Sequence, residues 1–337
     1  MNSGFCHLAL LQVCVLAALP VLRVGAQQQP SGEEVVRSRS NVVLVPTLVK
    51  NAAGKVVYGL KAENFEIEDD GVAQKVIVDE NPDTAPISLI IAVQIGRRAR
   101  HEFGRMAGLA SMLDPVLSAP DTEAAVLLFD SQLDLAQDFT HDSDLIEQRL
   151  KELQAGDGGA AILDAVSYSA RLLNKKPEGR QRVLLLISET RDHGSRVAKL
   201  DEVVRWIGTT NTSVYALTFS PYVSEQLDVL RGGNVDERQP TVDFLAKLAA
   251  LRNALKKNTP KALASMTGGE YELFETRNSF EGKMVNFANH LNSRYLLSFG
   301  PKNPHPGLHE IQVLVKNTAG SETVVFRKNY WVDEVSR

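Results

Sequence analysis

The sequence predicts an α/β fold in which a doubly wound, mainly parallel sheet is inserted in a β-sandwich formed by the N- and C-terminal segments. Three observations carry this. Ile87–Val93, Ala124–Phe129, Val183–Ile187 and Val214–Phe219 are nearly continuous apolar runs, as expected of strands buried on both faces. Segments with helical spacing separate them, the alternation of a parallel doubly wound sheet. Both ends of the chain instead alternate polar and apolar residues, the period of half-buried strands. The two end zones would pair, because the ends of a domain tend to lie close together.

The 337 residues suffice for one large or two ordinary domains. Residues 1–26 read as an export signal, cleaved near Ala26-Gln27. Leu8–Ala18 is almost wholly apolar, and Val24-Gly25-Ala26 puts small residues where a signal peptidase reads. An uncleaved anchor is the alternative, although the run falls short of a span of ~20 residues and Pro20 and Arg23 interrupt its end. Residues 27–40 read as a flexible linker. Cys6 and Cys14 both fall inside the signal, and Gln12-Val13 lacks the small residues of a lipoprotein site. The mature chain would then have no disulfide, thiolate metal site or cysteine nucleophile. Such a chain suits a bacterial periplasm or cell exterior, secreted or periplasmic, with no stable transmembrane segment after cleavage. Apolar residues at 44% and charged residues at 23% suit a globular core. The net charge of -4 argues against nucleic-acid binding.

The first β-module spans 41–82. Asn41–Lys50 alternates, Asn51–Gly54 turns, and Val56–Tyr58 resumes the strand. Phe65–Glu68 and Gln74–Val78 flank the hairpin signal Asp69-Asp70-Gly71. The α/β zone spans 86–292. Helical spacing covers Glu102–Leu117, Asp142–Leu153, Ile162–Leu173, Val197–Ile207, Lys261–Met266 and Phe280–Leu291. Leu133–Ala136 is a short edge strand and Tyr271–Phe274 the last sheet strand. An insertion at about 222–258 carries a helix with the stripe Leu245, Leu248 and Leu251, suited to packing on the sheet or to docking a partner. The second β-module, 295–333, holds Tyr295–Phe299, His309–Lys316 and Thr323–Val332, with a turn at Asn317–Gly320.

Several stretches together resemble one family. Val56-Val57-Tyr58-Gly59-Leu60-Lys61-Ala62-Glu63-Asn64-Phe65, followed by Asp69-Asp70-Gly71-Val72-Ala73-Gln74, resembles its opening module. Ile162-Leu163-Asp164-Ala165-Val166 and Thr267-Gly268-Gly269 match its interior. Tyr295-Leu296-Leu297-Ser298-Phe299 and His309-Glu310-Ile311-Gln312-Val313 match its close. These are the exported von Willebrand factor A-related proteins abundant in Acidobacteria, and the resemblance runs from about Asn41 to Val332. It implies a von Willebrand factor A-like, Rossmann-like domain with ligands at the carboxyl ends of its strands, at the topological switch point. It also implies a metal-ion-dependent adhesion site. There Asp-x-Ser-x-Ser, a Thr and an Asp from three loops hold a Mg²⁺ whose open position accepts a partner's carboxylate.

This sequence departs from that pattern. The first-loop positions read Gln94, Gly96 and Arg98; the Thr position is Ala160 and the third-loop Asp is Glu189. Only Glu189 keeps a carboxylate, and Arg98 adds a cation, so no metal and no cofactor are expected. Arg98 pairing with Glu189 is one reading, and a solvated arginine face at a helix start is the other. The partner-binding residues expected are Gln94, Arg97, Arg98, Arg100, Glu189 and Asp192, facing another protein with an acidic surface.

Other constellations are weaker. His305 and His309 are four apart, but Pro306 and Gly307 disfavour a helix that would align them, so the stretch reads as a loop. His193 and Asp192 lie near Ser188 and Ser195, without the Gly-x-Ser-x-Gly elbow of a hydrolase. Gly156-Asp157-Gly158-Gly159 lacks the Lys-Ser/Thr of a phosphate loop. Glu66, Glu68, Asp69 and Asp70 read as a solvated hairpin end. The function expected is an exported, non-catalytic protein-interaction module, adhesive or scaffolding and independent of divalent metal. The alternatives are an exported hydrolase and an envelope-assembly subunit that binds through the sandwich.

Overall fold

A computed structural model describes residues 42–79, 86–219, 244–316 and 321–333. The signal, the linker, the turn at Asn317–Gly320 and the Gly-Gly part of the insertion lie outside these residues. Among the described residues, no helix is long and apolar enough to cross a membrane.

The first zone contributes β1 (Val43–Lys50), β2 (Phe65–Asp69), β3 (Val72–Gln74) and β4 (Ile77–Asp79). Then come β5 (Ile87–Gln94), α1 (Leu109–Leu117), β6 (Glu123–Phe129), β7 (Leu133–Thr140), α2 (Ser143–Lys151) and α3 (Ile162–Asn174). They are followed by β8 (Gln181–Ser188), α4 (Leu200–Thr210), β9 (Thr212–Phe219), α5 (Phe244–Lys257), α6 (Thr259–Thr267), β10 (Tyr271–Phe274) and α7 (Arg277–Leu291). The close is β11 (Tyr295–Phe299), β12 (Gly307–Val315), β13 (Thr323–Phe326) and β14 (Asn329–Val332).

The central sheet runs β10-β9-β8-β5-β6-β7, parallel throughout except for the antiparallel edge strand β7. Strand periodicity splits β5 between two cores. Leu89, Ile91 and Val93 meet α1, α2 and α7 on one face, while Ile90 and Ala92 meet α3, α4, α5 and α6 on the other. Helices on both faces make the sheet doubly wound. Ile90 and Ile91 are wholly buried, each worth roughly 1.5–3 kcal/mol relative to exposure. Leu248 and Leu251 of α5 pack into the second core, while the Leu245 side chain lies outside what is described.

The end zones form two antiparallel four-stranded sheets, β13-β1-β11-β4 and β14-β12-β2-β3. One apolar cluster joins them, with Val45, Val49 and Phe299 from the first and Ile67, Val313 and Tyr330 from the second.

Several elements differ from the sequence expectation. The helix expected from Glu102 begins only at Leu109. A 3-10 turn occupies Ala99–Glu102, and Gly108 at φ 87° breaks the path before α1. Val56–Tyr58 does not resume the strand. Val56 makes one bridge to Lys50, and Gly59 at φ 79° bends the chain away. Gln74–Val78 divides, since β3 pairs with β2 while β4 pairs with β11 in the other sheet. Thr323–Val332 divides likewise, β13 pairing with β1 and β14 with β12. The edge strand expected at Leu133–Ala136 continues to Thr140, where it keeps pairing with β6. The acidic hairpin end is not simply solvated, because Asp69 is buried and hydrogen-bonded to Tyr330.

Arg327 causes the second division. Its buried guanidinium donates to the carbonyls of Asn329, Leu44 and Gly208 and to Asn211 Oδ1, tying both small sheets to the end of α4. These acceptors are all neutral, so burial pushes the guanidinium down to about 10. Gly208 sits where any Cβ would strike Trp331 of β14.

Glu270 makes a second junction. Lys50 of β1 lies 2.9 Å from it, His290 of α7 2.7 Å and Arg294 3.7 Å. Burial alone would raise this carboxyl, but the His290 hydrogen bond, Arg294 and Lys50 outweigh it and hold the group down to about 2. A depressed carboxyl stabilises the fold fully above its ordinary 4.5, and that stability fades as pH falls toward about 2. Acid titration of the melting temperature should therefore show a loss over that window. Glu270→Gln should flatten it and cost about 3 kcal/mol at neutral pH; an unaltered acid profile would show that the junction contributes nothing.

Candidate functional site

The winding of the sheet reverses at β5. The chain leaves β5 for β6 and β7 on one side, then crosses to β8, β9 and β10 on the other. A crevice therefore opens at the carboxyl ends of β5 and β8, the switch point where doubly wound sheets hold ligands. Gln94 is the last residue of β5, and Glu189 follows β8 directly.

Both side chains are buried and meet across the crevice. Gln94 Nε2 donates to Glu189 Oε1 at 2.8 Å, and the Glu189 amide N–H donates to Gln94 Oε1 at 2.9 Å. A carboxamide can do both, because it carries a donor and an acceptor. An aspartate here would set a second negative charge against Glu189, and only a cation or a proton could relieve it. His193 Nε2 lies 2.5 Å from the same Glu189 oxygen, while Arg98 Nη1 reaches Oε2 at 3.4 Å. The Arg98 contact is single and long, not a bidentate fork, and its side chain is 61% exposed. Gln94 and His193 are thus the main partners, with Arg98 as an outer lid.

Backbone packing holds the surrounding loops. A Cβ on Gly96 would run into the Gly159 carbonyl, so only glycine permits this approach. Arg97 N–H donates to the Asp157 carbonyl, and Gly156 N–H donates to Ile95 O at 2.7 Å. Ala160 is fully buried in the core, and its carbonyl accepts from His193 N–H at 3.1 Å. Asp192 Oδ1 accepts from Leu163 N–H at 3.0 Å and from Ser195 Oγ at 2.5 Å. Asp192 is therefore a half-buried cap of α3, not a free acidic group on the outer face. Asp164 accepts from the N–H groups of Arg196, Val197 and Ala198 at 2.9, 3.1 and 2.6 Å.

Asp130, Ser131 and Asp157 complete the rim; sequence reasoning missed Asp130 and Ser131 and weighed the loop of Asp157 only as a phosphate loop. Asp130 Oδ1 accepts from Gln132 N–H, closing an Asx turn after β6. The Asp157 carboxylate takes hydrogen bonds from the Ser131 hydroxyl and from the N–H groups of Gly159 and Ser131, which hold it below the usual range. Asp130-Ser131 after a buried strand and Asp157 between glycines were the available signals. The hydroxyls of Ser188 and Ser195 bond Glu189 O and Asp192 instead of an imidazole, so no serine–histidine pair forms there. The outward residues are Arg97, Arg98, Arg100, Arg191 and Arg196, all exposed.

A hard divalent ion at this rim would need several free oxygens. Gln94 offers an amide oxygen already bonded to Glu189 N–H, Gly96 and Ala160 offer no side-chain oxygen, and both Glu189 oxygens are engaged. This donor set does not fit the ion that the family resemblance implies.

No family model and no curated protein matches the sequence. Solved structures similar in fold include the conserved hypothetical protein BatB from Bacteroides thetaiotaomicron, 16% identical, with a TM-score of 0.41 and coverage of 61% of this chain and 98% of that one. The vWF domain of the type V pili tip protein Mfa5 from Porphyromonas gingivalis is 8% identical, TM-score 0.43, covering 62% and 96%. Proximal thread matrix protein 1 from the mussel byssus, solved with a zinc-occupied MIDAS motif, is 12% identical, TM-score 0.42, covering 66% and 48%. Likeness at this level does not extend to function.

Replacing Gln94 by Leu tests the buried pair. Glu189 would lose a donor to its carboxylate and the acceptor of its N–H, at a cost of about 1–3 kcal/mol. Differential scanning calorimetry should show a melting temperature lower by roughly 3–8 °C; an unchanged melt would refute the coupling.

Proposed function

We propose that the chain is an exported, non-catalytic protein-interaction module that captures an acidic partner surface at the arginine rim, without a divalent ion. We read the two small sheets as a sandwich that frames the α/β domain. One observation carries the reading. Both oxygens of Glu189, the one carboxylate left in the degenerate ligand set, are engaged by the protein's own Gln94, His193 and Arg98. The rim therefore turns outward Arg97, Arg98 and Arg100. Guanidinium groups recognise carboxylates bidentately, so the fitting partner presents clustered Asp and Glu. In relatives with an ion, the partner's carboxylate meets the metal; here it would meet arginine.

A pull-down from bacterial envelope extracts, with and without a chelator, tests this. Capture should be insensitive to chelator and weakened by salt, as exposed charge pairing requires. The double variant Arg97→Glu/Arg100→Glu should lose capture while melting like the parent. Capture that needs Mg²⁺, or that survives the double variant, would overturn the reading.

A second reading places binding on the small sheets, and exposed apolar side chains favour it. Tyr58, Ile77 and Leu314 stand 71%, 57% and 52% exposed on that part of the chain. Loss of capture in Ile77→Lys, with capture kept in the arginine variant, would favour it.

A further inference from the structure

A second polar cluster lies at the turn between β2 and β3, away from the rim. Asp70 and Gly71 take left-handed conformations, φ 48° and 77°, in the tight turn that Asp-Gly favours. This turn brings Asp69 and Asp70 against His309 of β12 and against His305, which precedes that strand. His309 is 1% exposed and Asp69 4%. Each carboxylate has one oxygen anchored. Asp69 Oδ2 accepts from the Tyr330 hydroxyl at 2.8 Å. Asp70 Oδ1 accepts from Glu310 N–H at 3.1 Å and from the Lys247 ammonium at 2.5 Å.

The other oxygens point to one place. Asp69 Oδ1 and Asp70 Oδ2 lie 3.4 and 3.0 Å from His309 Nδ1, and Asp70 Oδ2 lies 3.5 Å from His305 Nε2. His309 Nε2 is engaged at 2.7 Å with the His305 carbonyl, so it donates there and leaves Nδ1 facing the cluster. Asp69 Oδ1 and His309 Nδ1 are both buried without a hydrogen-bond partner. The unanchored oxygens of both carboxylates thus converge on His309 Nδ1, and Asp70 Oδ2 also faces His305 Nε2. In a tetrahedral zinc site with bonds of about 2.0–2.1 Å, ligand atoms sit roughly 3.3 Å apart. The three separations here straddle that spacing. The anchored carboxylate oxygens and the ring nitrogen held by a backbone carbonyl are the outer supports that metal ligands require.

We propose that Asp70, His305 and His309 bind one Zn²⁺ ion, with solvent in the fourth position. Mixed imidazole and carboxylate donors suit zinc rather than Mg²⁺ or Ca²⁺. A cavity of about 170 Å³ lined by Asp69, Asp70, Gln74, Asn303 and His305 borders the cluster and gives the ion a route from solvent. The described residues contain no cysteine. Here an ion would crosslink the β2–β3 hairpin to β12, as a disulfide would elsewhere, and Lys247 extends the tie to α5.

The test uses the tag-free full chain, stripped with a chelator and then dialysed. Calorimetric titration with Zn²⁺ should give one ion per chain and raise the melting temperature, and Co²⁺ should give the intense visible bands of tetrahedral coordination. His305→Ala removes an exposed ligand without disturbing the core, and should weaken uptake by roughly tenfold or more. Asp70→Asn should do the same, and His101→Ala should change nothing. Absence of saturable uptake, or equal affinity in His305→Ala and the parent, would overturn the assignment. Neither result depends on partner capture at the arginine rim.

Discussion

A carboxylate buried at the end of a sheet must be met by positive charge or by donors, and Glu189 sets this condition for the whole rim. The chain meets it from within. Gln94 offers a donor and an acceptor from the neighbouring strand, His193 closes from the third loop, and Arg98 covers the outside. Around this engaged carboxylate the loops pack backbone against backbone. Gly96 lies against Gly159, and Ala160 is buried in the core. The acidic side chains near the rim become structural, with Asp192 and Asp164 spent on N–H groups.

The same principle joins the small sheets to the α/β domain. Arg327 and Glu270 are buried charges, and each is satisfied by groups from more than one layer. Removing either side of such a contact strands a polar group away from water, which makes the union of the layers an energetic requirement. The glycines at the contact, Gly208 against Trp331 and Gly268 against Arg327, show how close the backbones come.

Much of the central sheet was legible because its strands are covered on both faces. Val183–Ile187 holds no polar residue and Ile87–Val93 only Ser88, and the observed strands extend them by one to two residues at each end at most. Breaks were harder to read. The 102–117 stretch keeps helical spacing through Gly108, yet its left-handed backbone starts the helix anew. The strands that switch sheets at Lys75-Val76 and at Arg327-Lys328 look continuous in sequence, because their partners are fixed by distant pairing. At the site, the residue types Gln94, Gly96, Arg98 and Ala160 could be read from the sequence. The roles of Gln94 and His193 could not, since they depend on strand order and on a loop returning to Glu189. The burial of His309 was hidden for the same reason. Asp69-Asp70, Lys247 and Tyr330 come from three separate segments, and Pro306-Gly307 beside it suggested only a loop.

The central claim is that this rim is closed by side chains that replace a cation. The most direct measurement is a calorimetric titration of Mg²⁺, which oxygen sites prefer and imidazole sites do not, into the parent chain and Glu189→Gln. The account predicts no saturable heat in either protein. Tight, stoichiometric uptake by the parent that disappears in Glu189→Gln would contradict it.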